Sequence, residues 1–156
     1  MASAALLIGA ALHDVAFRTI PNAIPFGIGA IALLLRLSQG TLLAGGLVAC
    51  IVFAAGFLIW WRGLLGGGDV KLLAAVSLLV APAMALDLLV CIALAGGALA
   101  LLYLLLGRLA SPPMRERPAR LASRILRVEQ WRIRRGGPLP YASAIAAGTL
   151  VILFQG

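Results

Sequence analysis

The sequence predicts an all-α membrane protein with about six transmembrane helices and an amphipathic helix in a basic inner loop. Hydrophobic residues make up 63% of the 156 residues and charged residues only 12%, which is more apolar side chain than a soluble domain of this length can bury. Apolar runs such as 41–61 are long enough to cross a bilayer as a helix. Nine arginines are concentrated in residues 108–135, a pattern typical of a loop that stays on the cytoplasmic side.

Charges, prolines and glycine clusters divide the chain into six apolar segments, which we expect to form one polytopic domain over residues 1–156. Proline at position 82 splits the run 70–107 into two helices, because proline removes a backbone hydrogen bond inside a helix. Several segments are shorter than the ~20 residues that span a bilayer core. The predicted segments lie at about 3–18, 23–37, 41–61, 69–81, 83–107 and 138–154.

The segment 108–137 is the predicted cytoplasmic loop. Within it, Leu121, Ile125, Val128 and Trp131 fall on one face of a helix, and arginines occupy much of the remainder. This pattern favours a helix in the headgroup layer whose guanidinium groups meet lipid phosphates. The net charge of +8 is therefore attributed to anionic lipid and the positive-inside rule, and nucleic acid is not an expected partner.

The distribution of basic residues predicts the orientation. With the N-terminus outside, twelve of the thirteen Lys and Arg residues lie on the inner side and only Arg36 faces outward. The opposite orientation would translocate the arginine cluster, which the positive-inside rule disfavours. We therefore expect a membrane protein with both termini on the outer side.

Five acidic residues are present, and two of them are candidates for chemistry. Glu116 and Glu129 belong to the basic loop, where pairing with neighbouring arginines accounts for them. Asp87 lies near the outer end of the fifth segment, within reach of interfacial water. Asp14 lies at the inner end of the first segment and Asp69 at the inner start of the fourth, so both are expected at similar depth on one face, where unpartnered carboxylates are costly and mark functional sites.

Two carboxyl groups that approach closely share a proton, and such a pair can hydrolyse a peptide bond. One carboxylate draws a proton from water while its protonated partner polarises the scissile carbonyl and then protonates the leaving amine. This chemistry needs neither metal nor cofactor, and the sequence offers no usable serine nucleophile, because His13 is its sole histidine. Cys50 and Cys91 stand alone in apolar runs and are interpreted as packing residues, with a disulfide left open.

The neighbours of the two aspartates have alternative interpretations. Glycines 66–68 either let the backbone approach a substrate strand or serve helix packing and the start of a helix. Lys71 is either an inside anchor or a group that adjusts the charge of Asp69. His13 either tunes Asp14 or faces lipid headgroups.

Three stretches resemble one family. Residues 14–22, DVAFRTIPN, resemble the D-x-x-x-R-x-I-P-N motif of type IV prepilin peptidases. Residues 66–72, GGGDVKL, are similar to their G-x-G-D-x-K-L motif, which also defines the wider class of intramembrane aspartyl proteases. Residues 140–148, PYASAIAAG, are similar to the P-Y-G-x-A-I-x-x-G segment of the short tight-adherence (Flp pilus) branch. Ala142 replaces the glycine of that segment, a departure expected to touch neither acid.

The resemblance implies an endopeptidase of the bacterial inner membrane that removes the basic leader of prepilins or pseudopilins on the cytoplasmic side, just after a glycine. It implies that Asp14 and Asp69 are catalytic. The surrounding motif residues it carries over are Arg18, Pro21, Asn22, Gly66, Gly68 and Lys71. Pro21 and Asn22 are also expected to turn the chain and cap the second helix. Longer family members carry paired cysteines and a methyltransferase activity, which we do not expect here.

Two other classes fit part of this pattern. Paired intramembrane acids and glycine-broken helices also build ion- or proton-coupled transporters, although those favour acids at the bilayer midplane. A non-catalytic membrane assembly subunit is the third hypothesis, and it predicts normal function after both aspartates become asparagine.

Overall fold

The computed structural model describes residues 2–109, 121–134, 137 and 139–155, and this part of the chain is helical, without strands. The all-α class predicted from the sequence is thereby confirmed for the described residues. A 3-10 turn, Pro82–Met84, precedes the fifth helix. The α-helices are α1 Ala2–Phe17, α2 Ala23–Ser38, α3 Leu42–Trp61, α4 Gly67–Leu79, α5 Ala85–Leu109, α6 Leu121–Arg134 and α7 Tyr141–Gln155.

Two of these helices are long and apolar enough to cross a membrane. They are α3, with 20 residues, and the 27-residue stretch Pro82–Arg108, both with a mean hydropathy of 2.6. Helices α1, α2 and α7 are apolar but have only 16, 16 and 15 residues. Six transmembrane helices therefore remain a prediction.

Helix α4 lies at the centre of the bundle, where it packs against α2, α3 and α7, and α7 in turn packs against α1 and α5. The only buried residues of α3 are Gly45 and Gly56, which lie against Arg36 and Val70. Small residues at these points let α3 approach its neighbours closely. The largest buried apolar side chains are Leu7, Ile28, Leu72, Val76, Leu88 and Ile145.

Arg36 links α2 to the C-terminal end of α4 by hydrogen bonds. Its Nε donates to the carbonyl of Leu78 (3.0 Å) and its Nη2 to that of Leu79 (2.8 Å). A cation thus hydrogen-bonds the last carbonyls of the helix, at the negative end of the helix dipole. The chain then turns at Pro82, the residue from which the end of this helix was predicted. Arg36 is only 5% exposed, and its expected place on the outer side of the membrane remains a prediction.

The amphipathic helix expected in the basic loop is present as α6, which packs against α5. Val128 and Trp131 are exposed, whereas Glu129 is buried. The glutamate therefore faces the protein, while part of the apolar face points outward. Glu116 lies outside the described residues, and contact of α6 with lipid remains a prediction.

Candidate active site

The two predicted acids meet at one cavity. Asp14 from α1 and Asp69 from α4 both line a space of about 730 Å³, and their carboxyl groups are close enough for their charges to interact. The other residues of the wall include Arg18, Ile59, Gly66, Leu73, Leu139 and Tyr141. Helices α1, α3, α4 and α7 thus contribute to one cavity whose wall is mostly apolar and holds both acids.

Asp14 is fixed by the last helix. It is 6% exposed, and its Oδ2 accepts a hydrogen bond of 3.0 Å from the backbone N–H of Ala142. Ala142 is the second residue of α7, so its N–H has no acceptor within the helix and points toward the incoming carboxyl group. The replacement of glycine by Ala142 was expected to touch neither acid, and the contact is made by the backbone N–H, a donor that glycine at this position would also have.

Asp69 is fixed by its own helix. It is the third residue of α4, whose N-cap is Gly66, and its carboxyl group lies against the backbone of that glycine. An acid at this position commonly reaches back to the free N–H of the N-cap residue. A Cβ on Gly66 would lie 2.8 Å from Asp69 Oδ2, so the glycine leaves room for the acid. Each acid therefore lies at the N-terminus of a helix, Asp14 at that of α7 and Asp69 at that of α4.

The two motifs also touch each other away from the acids. A Cβ on Gly68 would lie 3.1 Å from the Cβ of Ile20, so this glycine accommodates a side chain of the first motif. Lys71 Nζ donates to Asn22 Oδ1 at 2.9 Å. The predicted turn is formed at Pro21, whose carbonyl accepts from the Ile24 N–H at 3.0 Å. Asn22 does occupy the N-cap of α2, but its side chain makes no capping hydrogen bond; the oxygen expected to cap the helix accepts from the lysine instead.

Arg18 leaves α1 in a left-handed conformation, with φ of 56°. Its side chain also lines the cavity, and its Nη2 binds Glu129 of α6 and lies 3.5 Å from the Tyr103 hydroxyl. Nε and Nη1 of Arg18 are buried without a hydrogen-bond partner. The first motif is therefore joined to the basic-loop helix by a buried ion pair.

Glu129 is the functional candidate that the sequence analysis underestimated. It does pair with a neighbouring arginine as expected, since Arg132 Nη1 lies 3.2 Å from its Oε2. Its other oxygen, however, binds Arg18 across 111 residues of sequence, which no local spacing could indicate. The one available signal was that Glu129 is the only acid in α6.

The remaining polar candidates have structural partners or lie at the surface. His13 Nδ1 donates to the Thr19 carbonyl at 2.6 Å, and its ring packs on Phe17, so this histidine supports the turn after α1. Asp87 is exposed in the first turn of α5, where a negative charge is favourable. Among the described residues, no group of three or more His, Cys, Asp or Glu side chains could hold a metal ion.

Comparison with known proteins gives one match. The model of the type IV leader peptidase family matches residues 1–105, which contain both acids and the two motifs around them. No curated protein and no solved structure matches the chain. Helices α6 and α7, with Glu129 and Ala142, lie beyond the matched residues.

Proposed function

This chain belongs to the type IV leader peptidase family, and from that premise we propose that it is an aspartic endopeptidase that removes the basic leader of Flp-like prepilins. Membership makes it a protease. The family and the apolar helices together indicate an inner-membrane protein. The proposal adds the chemical class, the substrate and the two acids that act on it.

The observation that carries the proposal is the placement of Asp14 and Asp69 on one cavity, each at the N-terminus of a helix, with Asp14 held by the backbone N–H of Ala142. In the proposed reaction, one carboxylate takes a proton from a water molecule as the water oxygen bonds to the scissile carbonyl carbon. The protonated partner donates to the carbonyl oxygen, and a proton passes to the amine as the C–N bond breaks. Water is consumed, and both acids return to their starting state.

The rigidity of the two acids matters for this chemistry. A hydrogen bond from Ala142 holds Oδ2 of Asp14, and Asp69 lies against the backbone of Gly66 at the start of its own helix. Reacting groups held in a productive geometry need little reorganisation in the transition state. An apolar surrounding strengthens each of these polar interactions, since charges are poorly screened there.

The basic loop supports cleavage at the cytoplasmic face. Helix α6 belongs to the arginine-rich segment, and its Glu129 binds Arg18 at the wall of the acid cavity. The loop and the acids therefore lie at the same end of the bundle, and the positive-inside rule assigns that end to the cytoplasm. Both termini would then lie outside. Exposed Val128 and Trp131 would meet anionic lipid, while the pilin helix lies in the bilayer.

Cleavage of a Flp-type prepilin in liposomes tests the proposal. The wild type would be compared with Asp14→Asn and Asp69→Asn, and the exposed acid variant Asp87→Asn is the matched control. Each reaction would be run with and without a metal chelator. We expect the wild type and the control to shorten the substrate at the leader glycine, and each site variant to lose about 100-fold or more of the rate.

Two outcomes would contradict the proposal. Cleavage by both site variants at the wild-type rate would show that these acids are not catalytic. Cleavage that the chelator alone abolishes would indicate a metal-dependent reaction instead.

A further inference from the structure

A buried polar cluster lies beside the acid cavity and joins α1, α5 and α6. Glu129 is at its centre and is 9% exposed. Its Oε1 binds both Arg18 and the Tyr103 hydroxyl, and its Oε2 binds Arg132 at 3.2 Å. Arg132 also donates to the carbonyl of Val15, at 3.2 Å. The carboxylate therefore has partners on both oxygens, as a buried charge requires.

Arg18 is less well satisfied than Glu129. Its side chain is only 12% exposed, yet Nε and Nη1 have no hydrogen-bond partner. A buried guanidinium with unused donors gains free energy by binding a second carboxylate in a bidentate pair. Among the described residues, Glu129 supplies the one carboxylate that forms an ion pair with Arg18.

An alternative partner for Arg18 is the catalytic candidate itself. Asp14 precedes Arg18 by four residues, and both line the same cavity. If Glu129 lost its charge, Arg18 would pair with Asp14, because an unpaired cation in an apolar site is costly. That pairing would occupy the Asp14 carboxylate and place the guanidinium where water and peptide must bind.

We propose that Glu129 is a positioning residue of this peptidase, which holds the Arg18 guanidinium at the cavity wall and so keeps Asp14 free for catalysis. The inference rests on the proposed function, because keeping Arg18 away from Asp14 matters only if Asp14 is catalytic. It assigns a role in the site to α6, which lies beyond the residues that the family model matches. In this view the basic-loop helix is part of the catalytic unit as well as a surface for lipid.

The first test compares Glu129→Gln, Glu129→Asp and Gln130→Ala in the prepilin cleavage assay. Gln130 is exposed on the same helix, so its variant is the matched control. We expect Glu129→Gln to lower kcat by about 100-fold, because a misplaced group near the reacting atoms costs about that much. KM should change little. Glu129→Asp retains the charge and should recover most of the rate, whereas a purely structural role predicts similar losses in both variants.

A second test needs no activity and compares the unfolding midpoints of Asp14→Asn, Glu129→Gln and the double variant in detergent. With one carboxylate left, Arg18 can pair with it, so each single change should lower Tm modestly. The double change removes both partners of a buried cation, and its loss of Tm should clearly exceed the sum of the two single losses.

The outcomes separate this inference from the proposed function. If the wild type cleaves, Asp14→Asn does not, and Glu129→Gln cleaves like the Gln130 control, Glu129 has no positioning role although the peptidase assignment holds. If the two losses of Tm simply add, Arg18 does not turn to Asp14, and the inference is overturned. If the wild type fails to cleave but the Tm losses exceed additivity, the coupling exists and the substrate assignment is at fault.

Discussion

Replacing Gly66 with alanine is expected to reduce catalysis while leaving the fold intact. The added Cβ would lie 2.8 Å from Asp69 Oδ2, whereas ordinary contact begins at 3.4 Å, so the oxygen must move by about 0.6 Å (3.4 − 2.8). Since a misplacement of about 1 Å can cost about 100-fold in rate, we expect a loss of about tenfold or more. The backbone should not be strained, because Gly66 has φ of −75° and ψ of 143°, which alanine readily adopts.

The neighbouring glycine provides the matched control. A Cβ on Gly67 would lie 3.4 Å from Trp60 Nε1, an ordinary contact, so Gly67→Ala should retain the wild-type rate. Alanine at the N-cap of α4 should cost at most about 1 kcal/mol, and alanine at Gly67 should gain about 0.5–1 kcal/mol from helix propensity. Cleavage rate and Tm would be measured for both variants. Equal cleavage rates in the two variants would refute the view that the observed position of Asp69 is the catalytic one.

Two further substitutions test the packing that positions the site. Gly148→Ala would place a Cβ 2.6 Å from the backbone N of Ile92 and should lower the free energy of unfolding by about 1–3 kcal/mol. A Cβ on Gly97 would meet nothing within 4 Å, so Gly97→Ala should not lower it. Similar Tm values for the two variants would contradict this α5–α7 contact. Arg36→Gln loses charged hydrogen bonds to the last carbonyls of α4 and should lower the free energy of unfolding by about 2–3 kcal/mol, as measured by thermal unfolding. Arg62 is exposed, so Arg62→Gln should change this free energy little. Equal stability of the two variants would show that the Arg36 bonds do not hold α4.

Much of the helical plan could be predicted because it depends on local signals. Apolar runs end where charge, proline or glycine makes a continued helix unfavourable, and the observed helices begin and end within a few residues of those points. The meeting of Asp14 and Asp69 could also be anticipated. Helices of alternating direction bring such residues to one face once the basic loop fixes the orientation.

The partners of buried polar groups could not be predicted in this way. Arg36 binds carbonyls 42 and 43 residues away, Glu129 binds Arg18 across 111 residues, and the Ala142 N–H reaches Asp14 across 128. Backbone N–H and C=O groups are alike in nearly every residue, so the sequence cannot show which helix end will bond to a distant side chain. A long-range ion pair in a chain with 13 basic residues has too many possible combinations to be read from spacing.

The hydrogen bond from α7 to Asp14 has a consequence for biosynthesis. Both acids are translated well before α7, and domains generally form from the N-terminus during synthesis. A nascent chain that has inserted α1 to α4 therefore carries both carboxyl groups but lacks the amide that orients one of them. The backbone N–H that orients Asp14 is supplied only when α7 is made, so a chain that stops before α7 would carry both proposed catalytic acids without their observed arrangement.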